Sequence, residues 1–256
     1  MNEFGEGVID SHCHLDFKHF DKDREAVMNR ARDAGVVMMI NSGIDLSTNR
    51  KSLELAKTHD FMRATLGLSP NSLEGMNARE LQSQLEFIKE NAGRALGIGE
   101  VGLDYYRCKD EAARKHQVQV FSQVIDLARS VDLPLVIHSR DAEQQALDMV
   151  KDLDKVVFHC YGGNMNTMKQ AVDRGFYISL ATVLCRSSSH QVLARNVPLD
   201  QLLVETDSPF LAPKRGRNEP MNVLESVRLI AKIKGLSTSK VAFATTRNTK
   251  KIYDIP

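Results

Sequence analysis

The 256-residue sequence predicts a (β/α)8 barrel. Eight short runs rich in valine, isoleucine and leucine recur along the chain, and helical patterns lie between them. Strands that alternate with helices form a parallel sheet, because each connection must cross back over a face of the sheet. Eight such units in about 250 residues match a barrel of this type. The predicted strands cover residues 7–10, 36–40, 63–68, 95–100, 133–138, 156–159, 176–180 and 202–205.

The predicted helices have recognisable beginnings and ends. Gly35 follows the first helix, where a left-handed residue commonly ends a helix. Asn77 and Glu80 have the spacing of a capping pair, so the third helix is predicted to begin at Asn77. The other predicted helices cover residues 23–34, 47–59, 110–131, 141–153, 165–174, 222–234 and 237–253.

Residues 1–256 are expected to form one barrel domain, because no proline- or serine-rich linker divides them. A doubly wound open sheet is the alternative architecture. That alternative lacks support, since the chain contains neither a GxGxxG motif nor a phosphate-binding loop signature.

Composition excludes several classes of protein. With 42% hydrophobic and 26% charged residues, the chain is neither disordered nor collagen-like. Its longest apolar run, residues 36–40, is far shorter than the ~20 residues of a membrane span, and the first residues do not resemble a signal peptide. We therefore expect a cytoplasmic protein without membrane association. The four cysteines form no CxxC pair and are expected to be free thiols.

Charge is unevenly distributed although the net charge is only +1. Residues 214–256 contain ten Lys/Arg and three Asp/Glu, a net of +7, and the remaining residues carry a net of −6. The simpler interpretation is that the last helices have basic faces in contact with solvent. The other interpretation is contact with a polyanion.

Histidines and carboxylates lie at the ends of several predicted strands. In a parallel barrel these ends share one rim, where active sites form. His12 and His14 are two residues apart, so an extended backbone directs both rings to one side, as a divalent metal requires. Buried histidines need partners, and metal binding would satisfy them together. The other candidate ligands at strand ends are Glu100, His138, His159 and Asp207.

This ligand set favours one or two divalent ions and metal-assisted hydrolysis. Imidazole and carboxylate ligands suit Zn²⁺, Mn²⁺, Co²⁺ or Fe²⁺, and also Mg²⁺ where carboxylates and water dominate. Five or six ligands exceed the needs of one tetrahedral ion, whereas two ions bridged by Glu100 would use them all. Asp207 is positioned to bind one ion and to accept a proton from water. Glu100 and Asp207 are therefore the predicted catalytic residues.

Other histidines and cysteines are assigned structural roles. Cys13 and Cys160 each adjoin a candidate ligand in a strand, so they should face the opposite side as small core residues. The histidines without a strand-end position are His19, His59, His116 and His190.

Several sequence blocks contain these candidate residues. They are Val8–Leu15, Gly99–Tyr106, Ile137–Ala142, Phe158–Tyr161, Glu205–Pro213 and Arg215–Pro220. Together, over residues 8 to about 220, they resemble the TatD family of metal-dependent deoxyribonucleases. The resemblance implies an amidohydrolase-type TIM barrel that hydrolyses phosphodiester bonds of DNA with one or two ions, such as Mg²⁺, Mn²⁺ or Zn²⁺.

The resemblance also assigns ligands to each ion. One ion would be bound by His12, His14, Glu100 and Asp207. The other would share Glu100 and add His138 and His159.

Two segments depart from the family pattern. The family has His-Pro-His after the third strand, whereas this chain has Ser69-Pro70-Asn71. Ser69 and Asn71 can hold a phosphate oxygen but cannot supply a cation or a proton at neutral pH. The second departure is the basic loop Arg215–Pro220, after the eighth strand, which is one residue shorter than is usual in the family. Its Arg215 and Arg217, together with Arg140, are the predicted cationic contacts to phosphate.

Three functional hypotheses follow. The leading one is a nuclease that takes DNA as substrate and acts as an exonuclease, since a barrel mouth admits a strand end more easily than the middle of a duplex. The second is hydrolysis of a small ester, lactone or cyclic amide. Relatives with such activities bridge their metals with a carboxylated lysine, whereas this chain has Glu100. The third is a non-catalytic binding barrel. No obligate protein partner is predicted.

Overall fold

Eight parallel strands form one sheet with the order β1-β2-β3-β4-β5-β6-β7-β8 in the computed structural model, which describes residues 3–256. All eight predicted strands are confirmed, with adjusted bounds. The strands are β1 (Val8–Cys13), β2 (Val36–Ser42), β3 (Met62–Leu68), β4 (Gly97–Asp104), β5 (Leu135–Arg140), β6 (Val156–Phe158), β7 (Tyr177–Ala181) and β8 (Leu202–Glu205).

Main-chain hydrogen bonds join the two ends of the sheet. The N–H of Asp207 donates to the carbonyl of His12 (3.0 Å), and the N–H of His14 donates to the carbonyl of Ser208 (2.8 Å). These bonds connect the end of β1 to the segment after β8. The sheet therefore closes into a barrel, and the alternative of an open doubly wound sheet is wrong.

Helices surround the strands and have the expected ends. The Asn77 side chain accepts from the main-chain N–H of Glu80, and the Glu80 side chain accepts from that of Asn77. Gly35 adopts φ 112° at the end of the first helix. The α-helices within residues 3–256 are α1 (Arg24–Ala34), α2 (Leu46–Thr58), α3 (Ala78–Asn91), α4 (Glu111–Val131), α5 (Glu143–Met149), α6 (Met165–Asp173), α7 (Ser188–Asn196), α8 (Val223–Lys234) and α9 (Thr238–Ile252).

Several elements differ from the sequence prediction; strand β1, for example, extends to Cys13 and so includes His12. Helix α7 was not predicted, because its serine-rich beginning is typical of a loop and only Leu193 and Ala194 are buried. Helix α5 ends early, since the N–H of Leu153 donates to the carbonyl of Val150 (3.0 Å) in a turn. Strand β4 continues beyond its predicted end, so Glu100 lies inside the strand. Glycine has a low β propensity, so the glycines of β4 led the sequence prediction to end this strand too early.

The apolar layer inside the barrel lies below the predicted site. It contains Val136, Val157 and Leu203, which belong to a buried cluster separate from the larger core beneath the helices. Side chains two positions apart in a strand point to the same face. Val136 precedes His138 in this way, Val157 precedes His159, and Leu203 precedes Glu205. His138, His159 and Glu205 therefore stand above an apolar floor.

The cysteines only partly match expectation. All four are free thiols within the described chain. Cys13 is fully buried in the larger core, as predicted. Cys160 is only half-buried and has φ 44°, so its prediction as a core residue is wrong. The reason is that β6 ends at Phe158, before the alternation of an extended strand can reach Cys160.

No helix within residues 3–256 is long and apolar enough to span a membrane.

Close packing at Gly67 positions β3 beside Glu100. A Cβ added to Gly67 would lie 2.3 Å from the main-chain nitrogen of Glu100. The Asn49 side chain holds Gly67 from another direction, donating to its carbonyl (2.8 Å) and accepting from its N–H (2.9 Å). Strand β3 is therefore held on both sides at Gly67 and cannot shift to make room for a methyl group.

We expect Gly67→Ala to lower the free energy of unfolding by about 1–3 kcal/mol, because a methyl group would be forced into packed backbone. Urea denaturation followed by circular dichroism measures this change. Gly93→Ala is the control, since its Cβ would meet no heavy atom within 4 Å. Equal stability of the two variants would contradict the prediction.

Candidate metal centre

Glu100 lies between two groups of histidines at the carboxyl end of the barrel. In the first group, Nε2 of His12 and Nε2 of His14 each lie 3.5 Å from Glu100 Oε2. The two nitrogens are 3.2 Å apart. Asp207 completes this group, with its Oδ1 3.4 Å from His14 Nε2 and 3.8 Å from His12 Nε2. Four side-chain donors thus converge on one point.

The second group, His138 and His159, contacts the same carboxylate. His138 Nδ1 lies 3.2 Å from Glu100 Oε1 and 3.3 Å from His159 Nε2. His159 Nε2 is 3.9 Å from Glu100 Oε2. Glu100 therefore presents Oε2 to His12, His14 and His159 and Oε1 to His138, so its carboxylate lies between the two groups as a bridging ligand would.

The spacing of the donors fits metal ions. Ligands about 2.1 Å from a tetrahedral ion lie about 3.4 Å apart, and the donor separations within both groups are close to this value. The donor atoms of His12, His14 and Glu100 lie close enough together to hold one ion, and so do those of Glu100, His138 and His159. All of these donors are imidazole nitrogens or carboxylate oxygens, which suit Zn²⁺ and Mn²⁺.

Hydrogen bonds on the far side of three histidine rings direct their lone pairs into the centre. His14 Nδ1 lies 2.8 Å from the carbonyl oxygen of Ser42. A carbonyl only accepts, so Nδ1 carries the hydrogen and Nε2 is left to bind an ion. His138 Nε2 likewise faces Asp104 (3.0 Å), and His159 Nδ1 faces Glu205 (3.2 Å). Each ring is therefore oriented for metal binding.

Asp104 and Glu205 belong to the candidate centre, and the sequence interpretation did not select them. Both are fully or almost fully buried, and Glu205 also accepts from the N–H of Cys160 (2.8 Å). Their position within the blocks around Glu100 and Asp207 was visible in the sequence. Their pairing with histidines of other strands was not, because the barrel brings together residues far apart in the chain.

Ser69 and Asn71 contact the carboxylates of the centre. The Ser69 hydroxyl donates to Glu100 Oε1 (3.1 Å), and the Asn71 amide donates to Asp104 Oδ2 (3.2 Å). Both residues, which were predicted to bind substrate, thus lie beside the two groups of histidines.

The predicted arginines occupy three different environments. Arg140 is exposed at the end of β5, and its guanidinium carbon lies 3.7 Å from the centre of the Tyr106 ring. Arg215 is exposed in the loop after β8. Arg217 instead bonds to Asp23 (2.8 and 2.7 Å) and Glu219 (3.0 Å). Its guanidinium therefore ties the loop to the beginning of α1, a structural contact that the sequence did not reveal.

Opposite charges determine the protonation of the centre. Burial raises the pKa of Glu100, but His159 and hydrogen bonds from His12 and His138 outweigh burial and hold this pKa well below its usual value. Burial lowers the pKa of His138, but Asp104 and Glu100 raise it to about 9. Without ions the carboxylates are therefore ionised and His138 is protonated. Metal binding must release protons, so metal affinity should rise with pH.

We expect Glu205→Gln to weaken metal binding about 10–100-fold, because loss of the carboxylate removes the charged partner of His159. Competition with a fluorescent chelator measures the affinity. Glu225→Gln is the matched control, since Glu225 is half-exposed and pairs with Arg228 (2.6 Å) on α8. An unchanged affinity in Glu205→Gln would exclude this supporting role.

Comparison with known proteins identifies the family. A family model described as "TatD related DNase" matches residues 9–254. An uncharacterized metal-dependent hydrolase of Methanocaldococcus jannaschii is 35% identical over 96% of both chains. The human deoxyribonuclease TATDN3 is 32% identical over 99% of this chain and 97% of its own.

Solved structures agree with the sequence relatives. The TatD homologue YjjV of Escherichia coli K12 matches with a TM-score of 0.90 and 28% identity, covering 97% of this chain and 98% of that chain. The fold, the sequence relatives and the family model all lead to one assignment. The chain belongs to the TatD family of metal-dependent hydrolases.

Proposed function

We propose that this protein hydrolyses phosphodiester bonds of DNA at two divalent ions that share Glu100. The position of Glu100 carries the proposal, because its carboxylate lies between two groups of histidines, with Oε2 near His12 and His14 and Oε1 near His138. One ion would be held by His12, His14, Glu100 and Asp207. The other would be held by Glu100, His138 and His159.

Bound divalent ions would neutralise the phosphate charge and lower the pKa of an attacking water, and Mg²⁺, Mn²⁺ and Zn²⁺ are the candidates. The chain supports this chemistry by excluding solvent from Glu100, whose side chain is only 8% exposed. It also fixes the histidine rings from behind through Ser42, Asp104 and Glu205.

Asp207 is the proposed proton acceptor. Its side chain is 15% exposed, about twice the exposure of Glu100, so it is the more accessible carboxylate to water. Burial raises the pKa of Asp207, but the hydrogen bond and charge of His14 outweigh burial and lower it below its usual value. Asp207 is therefore ionised at neutral pH and able to accept a proton.

Charged and polar groups near the centre would position the DNA backbone. Asn71 is exposed beside the centre, and its second amide N–H can donate to a phosphate oxygen. The single O–H of Ser69 donates to Glu100, so Ser69 would bind a phosphate oxygen only by releasing that bond. Arg140 and Arg215 are exposed cations, and they are the stronger candidates for phosphate contacts. Arg217 would act indirectly, by holding the loop that carries Arg215. We propose that a strand end enters the barrel mouth, which makes the enzyme an exonuclease.

We expect the purified protein to release nucleotides from end-labelled single-stranded DNA with Mg²⁺ or Mn²⁺ and not with EDTA. Asp207→Asn should lower kcat about 10²–10⁴-fold through loss of the proton acceptor. Glu100→Gln should abolish metal binding as well as activity. Gel analysis of substrates labelled at the 3′ or the 5′ end measures cleavage and its polarity, and Glu225→Gln is the active control.

Several outcomes would reject parts of this proposal. Cleavage that persists in Glu100→Gln would assign the activity to a contaminant. Internal cleavage of circular single strands would exclude an obligate exonuclease. Failure to cleave DNA with any metal, together with efficient hydrolysis of lactones or small esters, would replace the nuclease with a small-molecule hydrolase.

We expect Arg140→Gln to weaken DNA binding and to reduce the slope of log affinity against log salt by about 0.7, the value for one phosphate contact on a single strand. Fluorescence anisotropy at several salt concentrations measures this slope. Arg129→Gln is the control, because Arg129 pairs with Asp126 in the last turns of α4. The end of α4 leads to the beginning of β5, which lies at the end of the barrel opposite to the metal centre. Equal slopes for both variants would contradict a phosphate contact by Arg140.

A further inference from the structure

We propose that Phe17, His19 and Phe210 form a stacking subsite for a nucleobase of the DNA strand at the metal centre. We call these three residues the aromatic cluster. The inference rests on the proposed function, because it specifies which part of the nucleic acid this side of the barrel mouth would hold.

The aromatic cluster is continuous with the metal centre. The ring of His14, a proposed ligand, stacks nearly parallel on Phe17, with 4.7 Å between ring centres and 19° between planes. Phe17 in turn contacts Phe210, whose ring centre is 6.0 Å away. Phe210 also follows Asp207 by three residues, and its N–H donates to the Asp207 carbonyl (3.0 Å). A nucleotide bound at the ions would therefore meet these rings first on this side.

Phe210 is exposed although its backbone is firmly held. Its side chain is 46% exposed, so the ring is accessible to a ligand. The fully buried Asn218 donates to the Phe210 carbonyl (2.6 Å) and to the Thr206 carbonyl (2.8 Å). The exposed ring thus projects from a rigid turn, and its position is set before a ligand binds.

The arrangement of the rings leaves Phe210 available for stacking. His19 contacts it at 5.8 Å with 74° between planes, and Phe17 contacts it with 72° between planes. No ring of the described residues lies parallel on Phe210, so a flat ligand can adopt that position. Nucleobases stack on aromatic side chains whatever their sequence, because every base has a π-face.

Charge on the other side of the mouth favours a nucleotide over an uncharged aromatic ligand. Tyr106 is 53% exposed just after β4, four strands away from β8 in the barrel. The cation of Arg140 covers its ring at 3.7 Å. A ligand crossing the mouth thus meets a cation-covered ring on one side. On the other side it meets the aromatic cluster, on which no cation of the described residues is stacked, and whose Phe210 lies in the loop that also carries exposed Arg215. A base joined to a chain of phosphates fits both surfaces.

The first test uses an oligodeoxynucleotide that carries 2-aminopurine, whose fluorescence falls when it stacks on an aromatic ring. Phosphorothioate linkages slow its hydrolysis, so that binding to the full chain can be titrated with Mg²⁺. We expect quenching with the wild type, loss of quenching in Phe210→Ala, and retention in Phe210→Tyr. Phe243→Ala is the control, because Phe243 is another exposed aromatic residue (58% exposed) but lies on α9.

The second test compares the KM values of an ordinary oligonucleotide and a fully abasic one of equal length. In the wild type the abasic strand should have the higher KM, and Phe210→Ala should reduce the ratio of the two values about tenfold. A merely structural role of Phe210 would raise both KM values together and leave their ratio unchanged.

Two results would overturn the inference: absence of quenching with the wild type, or equal quenching with Phe210→Ala. Either can occur while the same wild-type preparation cleaves DNA, in which case the proposed function stands and only the stacking subsite is rejected. If the wild type quenches 2-aminopurine through Phe210 but does not cleave DNA, the subsite stands and the nuclease reaction is rejected.

Discussion

A buried carboxylate among four imidazoles is the constraint on which this structure depends. Ionised Glu100 cannot remain unpaired in an apolar interior, because the loss of its hydration must be offset by opposite charge and hydrogen bonds. The histidines of β1, β5 and the segment after β6 provide both. In turn, Asp104 and Glu205 hold two of these rings. The carboxyl end of the barrel is thus a connected polar network, and removing one member would leave another buried charge without its partner.

Closure of the barrel makes this network possible. The hydrogen bond from Asp207 to the His12 carbonyl joins the first and last strands at the level of the candidate ligands. Below that level, Asp10 accepts from the N–H and the hydroxyl of Thr206 (2.9 and 2.6 Å), which strengthens the same junction. The contacts that close the fold therefore also position Asp207 beside His12 and His14. Stability and ligand geometry depend on the same few residues.

An apolar floor separates the polar network from the opposite end of the barrel. Val136, Val157 and Leu203 lie two residues before polar members of the network, with Ile252 and Tyr253 packed in the same cluster. The aliphatic side chains of this floor are buried, so they offer the polar network no hydrogen-bonding partner from below. Exposed Arg140 and the aromatic cluster lie at the mouth of the barrel, where a charged and partly aromatic substrate would enter.

The sequence alone determined the barrel and the six candidate ligands, because strand periodicity and the place of a residue along a strand are local properties. It also located Ser69 and Asn71. Tertiary structure decided which polar groups meet: the pairing of Asp104 with His138, the pairing of Glu205 with His159, and the bonding of Arg217 to Asp23. The partners in these contacts are 34, 46 and 194 positions apart in the chain, and they meet only when the strands close. Local patterns carry no information about such distant partners, since they record which face a side chain occupies and not what lies opposite it.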